Sequence, residues 1–163
     1  MSNFCIKEVS EKEFDRCVAV IRKGFATIAE EFSLTQENCP THGAFFTLDR
    51  LKNDYAKGNR MYALCTQDDI VGFFQLVKIS DEEYELKTLT VIPEYRHTGG
   101  GALMLETAKQ KAKELCAKVL TLSIIEENTR LRRWYEANGF THTEAKKFDH
   151  LPFTAGYMRV SLE

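Results

Sequence analysis

Arg96-His97-Thr98-Gly99-Gly100-Gly101-Ala102 sets three consecutive glycines between an arginine and Leu103-Met104-Leu105, a run that reads as the opening of a helix. The first N–H groups of a helix have no internal partners, and its dipole adds partial positive charge there, so the geometry suits a phosphate. Glycines let an anion approach the main chain with no side chain in the way. The same triplet also serves as a plain tight turn from strand to helix, and both uses stay open on this stretch alone. Two nucleotide motifs are excluded. A P-loop would continue with Gly-Lys-Ser/Thr where Ala102-Leu103-Met104 stands, and a dinucleotide fingerprint would need a glycine at Met104.

The elements that must position this loop are legible from periodicity. After a short strand, residues 4–9, Ser10-Glu11-Lys12-Glu13 is a capping-box pattern opening a helix with Phe14, Cys17, Val18, Ile21, Phe25 and Ile28 on one face. A second helix over 47–57 has Leu48, Leu51 and Tyr55 on one side and stops at Gly58. The loop between them, 33–46, is long enough to suggest a lid. Three strands follow, at 61–66, 70–79 and 83–92, joined by the acidic turns Asp68-Asp69 and Asp81-Glu82-Glu83, which implies antiparallel hairpins. From Gly101 a helical stripe of Leu105, Ala108, Ala112 and Leu115 leads to a strand at 119–125. A helix from about Thr129 to Asn138, ended by Gly139, and strands near 140–144 and 155–162 complete the chain. One strand–helix–strand passage inside a mostly antiparallel set predicts a mixed sheet with helices on its faces.

The 163 residues, 44% of them hydrophobic, fit a single domain, 1–163, with a sizeable core. With 22 Lys and Arg against 24 Asp and Glu there is no general attraction to nucleic acid or an anionic membrane. No leader pattern and no membrane-length apolar run are read, and Cys5, Cys17, Cys39, Cys65 and Cys116 look like reduced, packed thiols, so a cytoplasmic protein is expected. Cys39-Pro40-Thr41-His42 lacks a second ligand pair, and no metal is expected.

Arg96-x-x-Gly99-x-Gly101 after a strand ending Leu-Thr-Val-Ile-Pro-Glu-Tyr resembles the coenzyme A loop of the GNAT-type N-acetyltransferases. The likeness continues through Glu85-Leu86 and Leu89-x-Val91 in the preceding strand, then Asn128, then Tyr135-Glu136-x-x-Gly139-Phe140, and reaches the last strand. It covers residues 84–162; the N-terminal part matches only in element order. The resemblance implies a GNAT-like mixed α/β (α+β) fold, a mostly antiparallel sheet of about six or seven strands flanked by about four helices.

It further implies transfer of an acetyl group from acetyl-CoA, as cosubstrate, to a primary amine of a small molecule or peptide in a ternary complex. Backbone groups of Leu89, Thr90 and Val91 would pair with the pantetheine arm like an added strand. The N–H groups of His97, Thr98, Gly99, Gly100, Gly101 and Ala102 would hold the pyrophosphate, with Arg96 nearby. An acceptor lysine has an ordinary pKa of about 10.4, so its neutral form lies roughly 3.4 units, on the order of 4.6 kcal/mol, away at pH 7. Glu85 matches the family position for the base that removes this proton, directly or through water. Tyr135 matches the acid that protonates the departing sulfur; its place four residues after Leu131 puts it on an inward helix face. Asn128 is expected to cap its helix and contact the cofactor, and a strand N–H near Leu89 or Thr90 to meet the developing oxyanion.

Two departures stand out. His97-Thr98 replaces the usual small or basic residues, and Gly100 stands where a branched apolar residue is common, which predicts a more flexible loop. Phe32, Phe45 and Phe46 are candidates for an acceptor pocket as well as for core. A GNAT-like module that binds acyl-CoA without turnover is the alternative in kind. Homodimers are common in the family, though no interface is legible here.

Overall fold

The structure, a computed structural model, describes residues 3–67 and 69–163; Asp68, half of the first acidic turn, lies outside them. In chain order the elements are β1 (Phe4–Glu8), α1 (Phe14–Glu31), α2 (Leu48–Ala56), β2 (Arg60–Thr66), β3 (Asp69–Lys78), β4 (Glu83–Val91), α3 (Gly100–Glu114), β5 (Val119–Ile125), α4 (Thr129–Ala137), β6 (Thr141–Lys147) and β7 (Thr154–Ser161). Ser10 and Glu13 form the expected capping box, the Ser10 N–H donating to Glu13 Oε1 at 3.0 Å. It closes a 3-10 turn over Glu11–Glu13, and α1 proper starts one residue later. Thr47 and Asn128 accept from the N–H groups of Arg50 and Leu131 and so cap α2 and α4.

One seven-stranded sheet runs β1-β2-β3-β4-β5-β7-β6, antiparallel except where β4 meets β5. This is the predicted mixed sheet. Pairing assigns the faces. Gln75 and Phe73 of β3 oppose Lys87 and Thr90 of β4, and Gln75 is bonded to Asp54 of α2, so these side chains point toward α1 and α2. The other face carries α3 and α4, pinned together where Lys109 Nζ donates to the Asn138 carbonyl at 2.6 Å. The main core fills the space on both sides of β2, β3 and β4, with Cys17, Ile21, Leu51, Phe73, Phe74, Met104, Leu105 and Leu120 sealed from solvent.

A smaller apolar cluster joins Ala29, Leu34 and Cys39, at the end of α1 and in the loop after it, to Ile125 at the end of β5, with Leu151 and Phe153 of the β6–β7 connection packed against it. The 33–46 loop is therefore an anchored wall rather than a free lid, since Leu34, Cys39 and Phe46 are all buried. Cys17, Cys39 and Cys65 are packed as expected; Cys5 and Cys116 are exposed. Among the described residues no helix is long and apolar enough to cross a membrane.

Candidate functional site

β4 and β5 pair over only three rungs, Glu83 with Val119, Tyr84 with Leu120 and Glu85 with Thr121. Beyond Glu85 the two strands diverge, leaving β4 from Leu86 to Val91 without a strand on that side. Backbone polar groups inside a sheet are normally paired, so an opened pair of central strands is an edge on which an extended ligand can complete the ladder. The opening is reinforced by a bulge. On the β3 side the step from Phe73 to Gln75 spans two residues, while β4 uses three, from Thr90 to Lys87. Thr88 takes up the excess at φ +60°. A β-branched residue in the left-handed region is strained, and such strain gathers at functional sites.

Gln75 holds that bulge in place. It is buried within the apolar run 70–77 of β3, and its Nε2 donates to Thr88 Oγ1 at 3.0 Å and to Asp54 Oδ2 at 3.3 Å, while its Oε1 accepts from Asn59 at 3.0 Å. Sequence reasoning passed over this network. A lone amide in Ile-Val-Gly-Phe-Phe-Gln-Leu-Val was the available signal, because a buried polar side chain must find partners.

At the far end of β4 the glycine loop presents its main chain. Among the described residues, none of the backbone N–H groups from His97 to Ala102 has a hydrogen-bond partner; the first to find one is Leu103, which donates to the Gly99 carbonyl at 3.0 Å. Gly99 has φ +94°, and a Cβ there would point into open space, so the approach is clear. His97 shares the left-handed conformation at φ +61°. The array of free donors at the start of a fifteen-residue helix is suited to an anion such as a pyrophosphate.

Gly100 has a different use from the slack loop expected of it. It is buried in the first turn of α3, where a Cβ would come within 2.6 Å of Leu64 Cδ2, so its bareness seats the helix on β2. Arg96 also differs. Its Nε donates to the Val91 carbonyl at 3.1 Å, and its terminal nitrogens to Thr27 Oγ1 at 2.9 Å and the Gly24 carbonyl at 2.6 Å. The guanidinium therefore fastens the end of β4 to α1 and steadies the loop from behind. Gly24 allows the contact: a Cβ there would meet Thr90 Oγ1 at 2.0 Å.

Tyr135 lies on the α3–α4 face, its ring edge-on to Trp134 (centroids 5.0 Å apart) and to Phe140 (5.4 Å). The residue is buried and burial pushes the phenol pKa up, so it stays protonated through the neutral range. Its hydroxyl has no partner among the described residues, yet no sealed-in side-chain oxygen or nitrogen there lacks one. The phenol oxygen is therefore not wholly sealed, and a buried, protonated phenol with no internal partner is free to give its proton to a ligand. Asn128 is buried too; its Oδ1 is taken by the α4 cap and its amide nitrogen is free by the same reasoning.

Glu85 lies on the opposite face, at the last rung before the strands part. It lines a cleft of about 430 Å³ with Glu83, Thr121, Glu144, Tyr157 and Arg159 among its walls. Desolvation raises the Glu85 pKa, Lys87 opposes the shift and Glu83 adds to it. A carboxylate with a raised pKa is a better proton acceptor than an exposed one. Glu85 and Tyr135 thus lie on opposite faces of the sheet, with the free edge of Leu89, Thr90 and Val91 following Glu85 along β4 and the N–H array beyond the end of that strand. Of the three loop phenylalanines, Phe46 belongs to the main core, Phe32 to the smaller cluster, and Phe45 is half-buried beside His42. Among the described residues no cluster of His, Cys, Asp and Glu is arranged to hold a metal ion.

Comparison with known proteins gives the family and the fold. The acetyltransferase (GNAT) family model matches residues 25–140. An uncharacterized N-acetyltransferase of Lactobacillus delbrueckii subsp. lactis is 25% identical over 86% of both chains. An amino-acid acetyltransferase of Pseudomonas syringae pv. syringae is 38% identical over 51% of this chain but only 18% of its own length. Among solved structures, the ribosomal-protein-S18-alanine N-acetyltransferase of Escherichia coli superposes with TM-score 0.79 at 14% identity, covering 99% of this chain and 95% of its own. The PaiA N-acetyltransferase of Thermoplasma acidophilum, solved in complex with coenzyme A, superposes with TM-score 0.76 at 20% identity, covering 98% and 99%.

Proposed function

This chain belongs to the GNAT acetyltransferase family, and we propose that it acts as one cytoplasmic domain that moves an acetyl group from acetyl-CoA to a primary amine of a small molecule, by direct attack in a ternary complex. The observation that carries the reading is the opening between β4 and β5, with the Glu85 carboxylate where the strands part and an array of unpaired N–H donors beyond the end of β4. These residues fit the group chemically. The N–H groups of His97 to Ala102 suit a pyrophosphate, and the unpartnered edge at Leu89, Thr90 and Val91 suits an extended amide-bearing arm.

Acetyl-CoA supplies an acetyl group already activated as a thioester. Glu85 takes the proton from the acceptor ammonium, directly or through a water, so that the amine attacks as a neutral nucleophile. The N–H of Leu89 or Thr90 donates toward the carbonyl oxygen as negative charge builds on it. Tyr135 gives its proton to the departing sulfur, and the free amide nitrogen of Asn128 is left to contact the cofactor.

Thermal unfolding with saturating acetyl-CoA, against ATP and NAD as controls, tests the reading. Ligand at about 100 times its dissociation constant adds roughly 2.7 kcal/mol, which for a domain of this size raises Tm by about 5–10 °C. A rise of that size with acetyl-CoA and none with the controls is the expected outcome. No rise would leave the glycine loop as a turn and overturn the reading.

A further inference from the structure

The cleft beside Glu85 says more about the acceptor, on the premise that the chain is an acetyltransferase. Glu85, Thr121 and Arg159 form one continuous rung across β4, β5 and β7, with all three side chains in the cleft. Two strand spacings separate the first from the last, about 10 Å between their backbones. The remaining carboxylates of the lining are already engaged. Glu83 Oε2 accepts from Thr121 Oγ1 at 3.4 Å, and Glu144 pairs with Lys146 at 3.5 Å.

Glu85 and Arg159, by contrast, have no hydrogen-bond or ion-pair partner among the described residues. Two further cations stand near but outside the lining: Lys87 lies beyond Glu85, and Lys146 is held by Glu144 and the Tyr157 ring. The cleft thus offers one free carboxylate and one free guanidinium facing each other across a hydroxyl-bearing floor. A planar guanidinium left unpaired among carboxylates is suited to an incoming carboxylate or similar oxyanion, which it binds through two parallel hydrogen bonds. A polyamine would instead place a second cation against it.

We propose that the acceptor is a small zwitterion, an amino acid or close analogue, whose amine faces Glu85 and whose anionic group is received by Arg159. The volume of about 430 Å³ is in the small-molecule range.

The test compares matched acceptors: a set of free amino acids, their amides, and the corresponding amines without the carboxylate, each with the wild type, Arg159→Gln and Arg159→Lys. A charge-assisted contact of this kind corresponds to about 10- to 100-fold in affinity. The wild type should favour the carboxylate-bearing acceptors by that factor in kcat/KM. Arg159→Gln should raise their KM by a similar factor with kcat unchanged, Arg159→Lys should recover part of it, and neither should alter KM for the plain amines. Equal use of plain amines and amino acids, or an unchanged KM in Arg159→Gln, would overturn the proposal while leaving the acetyltransferase reading intact. Acetylation of no acceptor in any set would overturn both.

Discussion

Tyr135→Phe is expected to lower kcat by about 10²–10⁴-fold, the usual contribution of a positioned acid, while leaving Tm unchanged within a degree or so. The two halves of that expectation rest on separate facts. The ring packs against Trp134 and Phe140, and phenylalanine keeps both contacts. The hydroxyl has no partner among the described residues, so its removal strands no buried donor or acceptor. A tyrosine whose role was only to fill the core would show no loss of kcat. Full activity in the variant, with the fold intact, would remove Tyr135 from the mechanism.

The pH dependence follows with a definite sign. Burial raises the folded-state pKa of Tyr135 above its unfolded value near 10, so the folded chain holds this proton more tightly than the unfolded one. The associated stability is complete below pH 10 and is lost as the pH rises beyond it. Tyr135→Phe should therefore unfold less readily than the wild type in strong alkali, even though the two match at neutral pH.

Glu85→Gln should also reduce kcat by about 10²–10⁴-fold, and it should do so while stabilising the protein at neutral pH. Desolvation raises the Glu85 pKa, so the folded state binds its proton more tightly than the unfolded state. Stability then falls as the pH rises from the ordinary glutamate value through the raised one. The neutral amide escapes that loss. The gain in Tm should shrink to nothing below about pH 4, where the unfolded carboxyl is protonated as well. In the wild type the acid limb of kcat should report the same raised pKa, and that limb should be absent from whatever activity the variant keeps. Unaltered kcat in Glu85→Gln would assign proton removal to another group of the cleft.

The parts of this site that were legible in the sequence are those written in consecutive residues. The glycine run before Leu103, Asn128 as a helix cap and Tyr135 on an inward helix face depend on local backbone geometry, which spacing alone encodes. The element order and the single parallel crossover followed from period changes and short turns, and the sheet bears them out.

What was not legible depends on residues far apart in the chain. Arg96 reaches Gly24, 72 positions away, and no local pattern distinguishes an arginine that braces a helix from one that meets a phosphate. Gly100 looks like loop slack until Leu64 is seen against it. The bulge at Thr88 runs against the β preference of a branched residue and is imposed by Gln75 from the neighbouring strand. The Glu85–Thr121–Arg159 rung exists only once β5 and β7 are placed side by side.

The proposed activity requires that this opening move an acetyl group and not merely hold a thioester. Acetyl-CoA labelled in the acetyl group, mixed with the chain and a pool of small amines and amino acids, tests it by product mass. The expected result is label in an N-acetyl product, one free coenzyme A thiol per amide formed, and loss of both in Tyr135→Phe. Label that stays on coenzyme A while acetyl-CoA still raises Tm would contradict the claim, and would make the chain a binding module built on an acetyltransferase frame.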